Sequence, residues 1–325
     1  MTKAEPRLLS LERINQLAAE PRYCSRMQPE HPVDAARPWV PENYTQLYFT
    51  PLYRSLSDTQ RLRYNQLFAL RINEYIMMLE SDLIDALLPP LLQSPALRDD
   101  AALARAVRTM IEEEHQHCAG FAALNRLCRP DLYPAGQDRY FSQLPAASRI
   151  LFGIVGNLSR HYAFALWYLM AMEESSKSLA RDMSRQPETE TLGRLDAGFM
   201  SVHVQHLKDE TRHLHIDQHL ITRCIPRRKE RLNAWLFTRM LGGVLHISRK
   251  GSGVRVIHQL VRDCPELASR QEELIQAVLA LKNNRQFVHS LFNRHIMPHT
   301  FHMLDQVEAF ARLGERMAGY DRQTS

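Results

Sequence analysis

The segment His206-Leu207-Lys208-Asp209-Glu210-Thr211-Arg212-His213 constrains this chain more than any other. Positions three and four apart share one face of an α-helix. His206, Glu210 and His213 therefore line one stripe, which Val202 and Leu220 extend, with Asp217 one turn beyond His213. Imidazoles and a carboxylate presented this way can bind one metal ion or two adjacent ones. Asp209, beside Glu210, is placed to hydrogen-bond the free ring N–H of a ligating histidine on a neighbouring helix.

A second segment, Glu112-Glu113-Glu114-His115-Gln116-His117, allows two Glu-x-x-His registers. Glu114 shares its face with Met110, Ile111, Cys118 and Phe121, whereas Glu112 shares its face with Arg108, Thr109 and Gln116. Glu114 and His117 are thus the expected buried pair, and Glu113 takes the place that Asp209 holds in the other motif. One Glu-x-x-His alone is commonly a solvated pair. Two of them, each with an acid before the glutamate, point to a metal site.

Each motif needs a partner glutamate from the helix before it. Glu80 lies among Ile76, Met77, Leu83, Ile84 and Leu87, while its rival Glu74 is flanked by Arg71 and Ser81. A carboxylate among aliphatic side chains is costly unless it is paired or metal-bound, which favours Glu80. In the second pair Glu173 lies near Leu166, Leu169, Met170 and Ala180, and Glu174 looks toward Lys177 and Arg181. Glu173 is preferred, with Glu174 left open. The separations, 34 residues from Glu80 to Glu114 and 37 from Glu173 to Glu210, suit two antiparallel helical hairpins.

One glutamate from each of two helices and Glu-x-x-His from each of two others is the ligand set of a ferritin-like di-metal bundle. Mixed oxygen and nitrogen ligation without cysteine favours two iron ions, with manganese as the alternative, over structural zinc. The expected fold is all-α: an N-terminal arm (1–55), a four-helix metal-binding core (56–225) and a C-terminal helical layer (226–325), in a single domain. Prolines at 21, 29, 32, 38, 41 and 51 make the arm irregular. The spacing predicts helices over about 57–88, stopped by Pro89-Pro90, then 96–127, 148–185 with a break near Gly156, and 190–224. Further helices are expected over 229–249, 254–268 and 272–310. Only 12 glycines are present, and no Gly-rich phosphate loop occurs.

The net charge is +5. The basic run from Arg223 to Arg231 reads as a solvated turn around Pro226, so no nucleic-acid partner is expected. Five cysteines without a C-x-x-C pair suggest reduced thiols and a cytoplasmic location. Ala163–Met172, the most apolar stretch, is too short to span a bilayer. Phe164, Trp167 and Tyr168 are candidates for a pocket wall, although core packing accounts for them equally well. Arg285 and Arg294 are the cations available for an acidic substrate.

Asp209-Glu210-Thr211-Arg212-His213 resembles the D-E-x-R-H signature of bacterial di-iron monooxygenases in the ferritin-like superfamily. With His206 four residues before Glu210, the resulting H-x-x-x-E-x-x-H resembles the p-aminobenzoate N-oxygenase (AurF-like) family. The resemblance covers about residues 60 to 225. It implies that Glu80, Glu114, His117, Glu173, His206, Glu210 and His213 are ligands, His206 being the seventh. It also implies a diferrous centre that reacts with O2 through a peroxo-diferric species to oxidise a small-molecule amine toward hydroxylamine or nitro products. Two electrons per turnover would come from a ferredoxin-like or flavin reductase or a small reductant. The alternatives are a C–H hydroxylase or desaturase with the same centre and a non-catalytic iron-binding protein of ferritin type. A homodimer is compatible with either.

Overall fold

The computed structural model describes residues 8–20, 27–143, 146–159, 161–224, 229–244 and 247–310. Met1–Arg7 and the turn at Pro226 with Arg227 and Arg228 lie outside them, as do Cys24 and the side chain of Cys224. The principal helices are α1 (Leu11–Ala18), α2 (Asp58–Met77), α3 (Ile84–Leu92), α4 (Ala101–Cys128), α5 (Ala146–Ser159), α6 (Phe164–Arg185) and α7 (Ala197–Cys224). Then follow α8 (Glu230–Val244), α9 (Ser252–Asp263), α10 (Gln271–Ala280), α11 (Arg285–Leu291) and α12 (Pro298–Asp305). No strand forms among the described residues; Glu188 and Arg194 make an isolated bridge. The fold is an all-α, ferritin-like bundle, as the sequence predicts.

Ser57 starts α2 with a capping box: its hydroxyl accepts from Gln60 N, and the Gln60 side chain accepts from Ser57 N. The helix does not stop at Pro89-Pro90 as the sequence suggests. It passes through a π-helical turn, Met78–Leu83, and continues as α3 to Leu92. Each proline removes one N–H from the ladder. Pro90 thereby frees the Ala86 carbonyl, and α5 packs against α3 at that point. A Cβ on Gly156 would lie 1.9 Å from Ala86 O, so only glycine allows the two backbones to meet there. Gly156 is thus a contact, and the break falls instead between Ser159 and Phe164, separating α5 from α6.

The fourth core helix begins at Ala197 and not near 190, because Asp196 Oδ1 caps it by accepting from Phe199 N at 2.6 Å. The preceding residues turn at Gly193, whose φ of +78° favours glycine. The last expected helix, 272–310, is divided into α10, α11 and α12. Asn284 caps α11 through Phe287 N, and Pro298 starts α12.

Two apolar clusters fill the bundle. One takes residues from Leu79 to Leu91, Leu103 to Met110, Ala163 to Met172 and Leu214 to Ile221. The other takes Tyr64 to Met77, Phe121 to Leu124, Leu179 to Met183 and Leu195 to Val202. On every core helix the boundary between them carries buried polar residues: Glu80, then Glu113, Glu114 and His117, then Glu173, then His206 to His213. The candidate site is this polar layer between two apolar halves.

Candidate metal centre

The π turn sits where Glu80 enters the layer. A π turn widens the helix locally and re-aims its side chains, and such turns recur at functional sites. Glu80, Glu114, His117, Glu173, His206, Glu210 and His213 are all buried. Glu112 and His115 are exposed, the latter bonded to Asp85 at 2.8 Å.

Two overlapping groups of buried ligand atoms could each hold a metal ion: Glu80, His117, His206 and Glu210, and Glu114, His117, Glu210 and His213. Within each, the atoms lie within 4.8 Å of one another. His206 Nε2 is 2.7 Å from Glu80 Oε1 and 2.9 Å from Glu210 Oε1. His213 Nδ1 is 2.8 Å from Glu114 Oε1 and 3.4 Å from Glu210 Oε1. Glu173 belongs to neither group and lies at the margin, 4.0 Å from His213 Nδ1.

The residues fit a metal. Glu114 Oε1, both Glu210 oxygens and His213 Nδ1 make no hydrogen bond, although each is sealed from water. Buried polar atoms are otherwise nearly always satisfied. Here they crowd toward shared points without the alignment of hydrogen bonds, as ligands of an ion would.

The imidazoles are held from behind by crossed partners. Asp209 on α7 accepts from His117 Nε2 of α4 at 3.0 Å, and Glu113 on α4 accepts from His213 Nε2 of α7 at 2.9 Å. These acceptors place the ring protons on Nε2 and leave Nδ1 of both histidines toward the centre. Arg212 joins the two acids, donating to Glu113 at 2.8 and 3.1 Å and to Asp209 at 2.5 Å. Sequence reasoning gave Arg212 no role; its place between two acid-bearing motifs on facing helices was the available signal.

The other glutamates have different occupations. Glu74 accepts from Tyr133 Oη, Tyr140 N and Ser142 N at 2.5 to 2.8 Å. Glu174 accepts from His299 N and Thr300 N at 2.8 and 2.7 Å, at the start of α12. Of the cations proposed for an acidic substrate, Arg294 forms a two-pronged pair with Asp305, and Arg285 is exposed. Trp167 packs on Phe310 in the core, with ring centroids 5.2 Å apart. Cys118, next to His117, sits 3.8 Å from Glu80 Oε2.

Charge in the layer is mutually compensated. Burial pushes Glu80 up, and the Glu114 charge adds to this against His206. Burial and the Glu114 and Glu210 charges hold Glu173 well above the usual carboxylate range. Burial also works against ionisation of Glu210 and Glu114, but the His206 charge holds Glu210 well below its ordinary value and His213 lowers Glu114. In the histidines burial is likewise overcome: Glu210 and Glu80 raise His206, Glu114 and Glu113 raise His213, and Asp209 and Glu114 lift His117 to about 9.

A small void of about 10 Å3, partly open to solvent and with room for about one water molecule, adjoins the layer between Glu80 and Glu173. Ile76, Leu79, Met172 and Ser176 complete its wall.

No helix among the described residues is long and apolar enough to cross a membrane. Cys118, Cys128 and Cys264 are free thiols. Among curated proteins no match to this chain is found. The family profile of the p-aminobenzoate N-oxygenase AurF matches residues 25–297, from the arm through the bundle and into the C-terminal layer. The chain belongs to the p-aminobenzoate N-oxygenase AurF family.

Proposed function

We propose that this protein is a di-iron oxygenase that inserts oxygen at the amine nitrogen of a small organic substrate. The observation that carries the reading is the convergence of buried carboxylate and imidazole atoms from the π turn, α4 and α7, several of them without a hydrogen bond. Glu80, Glu114, His117, Glu173, His206, Glu210 and His213 would hold two irons, with Glu210 and His117 at the overlap of the two groups. Glu173 would join from the margin. All seven lie in the 56–225 core, with the arm and the C-terminal layer as its covering.

Iron would supply the electrons that activate O2. The chain supplies the rest. Asp209 and Glu113 fix ring orientation and the Nε2 protons, Arg212 locks the two acids, and the apolar clusters on either side exclude water. The balance for one oxidation step is R–NH2 + O2 + 2 e− + 2 H+ → R–NHOH + H2O. The electrons come from a ferredoxin-like or flavin reductase or a small reductant. The small void between Glu80 and Glu173, partly open to solvent, is a place where O2 could reach the layer.

The test is anaerobic loading with ferrous iron, then O2 and an arylamine. About two irons per chain and an oxygenated amine product are expected. Uptake of many irons per chain, or oxidation at carbon alone, would replace the reading with one of its rivals.

A further inference from the structure

Three imidazoles reach the layer, and they are backed differently. His117 and His213 each give Nε2 to a carboxylate, Asp209 and Glu113 respectively. His206 is turned the other way. Its Nε2 faces Glu80 and Glu210 at 2.7 and 2.9 Å, so Nδ1 is its rear nitrogen. That Nδ1 is sealed from water and bonded to nothing. The rear N–H of a metal-facing imidazole almost always donates to an acceptor, which fixes the ring. Asp209 and Glu113 are already committed to His117, His213 and Arg212.

His203 lies three residues before His206 and shares its face of α7. Phe121 of α4 touches both rings, its centroid 5.1 Å from that of His203 and 5.2 Å from that of His206. His203 is fully buried, and neither of its nitrogens has a partner. Two histidines one turn apart thus carry three orphaned nitrogens, where buried polar atoms are nearly always satisfied. The orphans are complementary. Burial lowers His203 to about 3, helped by the His206 charge, so the ring is neutral at ordinary pH. A neutral imidazole keeps one accepting nitrogen. A His206 ring whose Nε2 serves an ion carries its proton on Nδ1. One ring has the donor and the other the acceptor.

We propose that His203 is a positioning residue for His206: its neutral imidazole is the acceptor for the rear Nδ1–H and keeps Nε2 aimed at Glu80 and Glu210. The consequence is an asymmetric centre. Carboxylates behind His117 and His213 strengthen those rings as ligands, and a neutral acceptor does so less. The ion position that includes His206 is therefore the weaker of the two. This rests on the reading that the layer holds metal and not on the amine chemistry.

The test is anaerobic titration of the full chain with ferrous iron, with metal analysis and urea midpoints in parallel, for the parent, His203→Gln and His203→Phe. The parent is expected to fill in two steps. His203→Phe is expected to weaken the second by about tenfold, the worth of one neutral hydrogen bond, and to leave the first unchanged. His203→Gln, whose amide oxygen accepts, is expected to return the second step to within about threefold of the parent. A residue that only filled space would give the reverse order, because phenylalanine replaces the ring and glutamine does not. A second measurement needs no change at residue 203. In 15N spectra of the histidine-labelled, metal-free protein, His203 is expected to be neutral at about pH 6, with one nitrogen accepting a hydrogen bond that disappears in His206→Ala. An unchanged second step in His203→Phe, equal weakening of both steps, no rescue by a folded His203→Gln, or a His203 spectrum indifferent to His206→Ala overturns the proposal. A parent that takes up no iron overturns the metal reading along with it, whereas the other outcomes overturn the role of His203 alone.

Discussion

At the scale of single residues, the layer separates candidate ligands by how many of the two candidate groups each belongs to. Glu210 belongs to both candidate groups, whereas His206 belongs to one. Glu210→Ala is expected to abolish iron binding, and His206→Ala to leave about one iron per chain, read by metal analysis after desalting. Equal losses in the two variants would contradict the shared role of Glu210. Asp209 acts through His117, so Asp209→Ala is expected to lower iron affinity by about 10–100-fold without removing any ligand.

The histidine shifts set a pH dependence. His117 rises to about 9 through Asp209 and Glu114, against burial and His206. A histidine raised on folding contributes stability below its unfolded value, and that contribution is lost as pH rises through the folded value. A metal ion bound by these imidazoles would have to displace the same protons. Anaerobic loading in weak buffer near neutral pH is therefore expected to release protons, and iron affinity to rise with pH up to about 9. Loading without acidification would show that the imidazoles are already neutral.

His203 behaves oppositely. Its ring lies tilted between those of Phe121 and Phe199, its ring nitrogens make no hydrogen bond, and burial with the His206 charge lowers it from 6.5 to about 3. Its contribution is present above 6.5 and lost as pH falls toward 3, because the unfolded chain takes up the proton first. His203→Phe is expected to flatten the fall in urea midpoint between about pH 7 and pH 4.

At the scale of elements, the informative features are places where a helix departs from the regular pattern. Periodicity showed that Glu80 lies on an apolar stripe, but a π turn does not register in a 3.6-residue pattern, and Met78–Leu83 was invisible for that reason. The proline pair misled in the opposite direction: Pro89-Pro90 has a stop signal's composition, yet tertiary packing by α5 carries the helix through it. Gly156→Ala places a methyl group against Ala86 O. It is expected to destabilise the protein by about 1–3 kcal/mol, measured as a lowered urea midpoint, while the isolated metal motifs on α4 and α7 are untouched.

At the scale of the whole molecule, the C-terminal layer is anchored to the bundle by a residue that sequence reasoning kept as a rival ligand. Glu174 receives two backbone N–H groups of α12, so it serves as the cap joining that helix to α6. Glu174→Ala is expected to cost about 1–3 kcal/mol of stability and still bind about two irons. Glu173→Ala is expected to lose iron with a smaller change in stability. An iron loss confined to Glu174→Ala would reverse that assignment. The arm is tied down similarly: Glu42 accepts from Tyr53 Oη and from Thr191 N and Oγ1, each at 2.6 Å.

The sequence alone determined which residue types meet and on which face of which helix. Glu-x-x-His spacing, apolar flanks and hairpin-length separations are local quantities set by the 3.6-residue repeat. They were enough to separate Glu114 from Glu112 and to specify a helical bundle. Tertiary structure decided what depends on contacts between distant segments. It gave Glu74 and Glu174 to backbone N–H groups of other segments, set Arg212 between Asp209 and Glu113, and continued α3 past its prolines. None of these follows from periodicity, because a helix pattern states which way a side chain points but not what waits for it there.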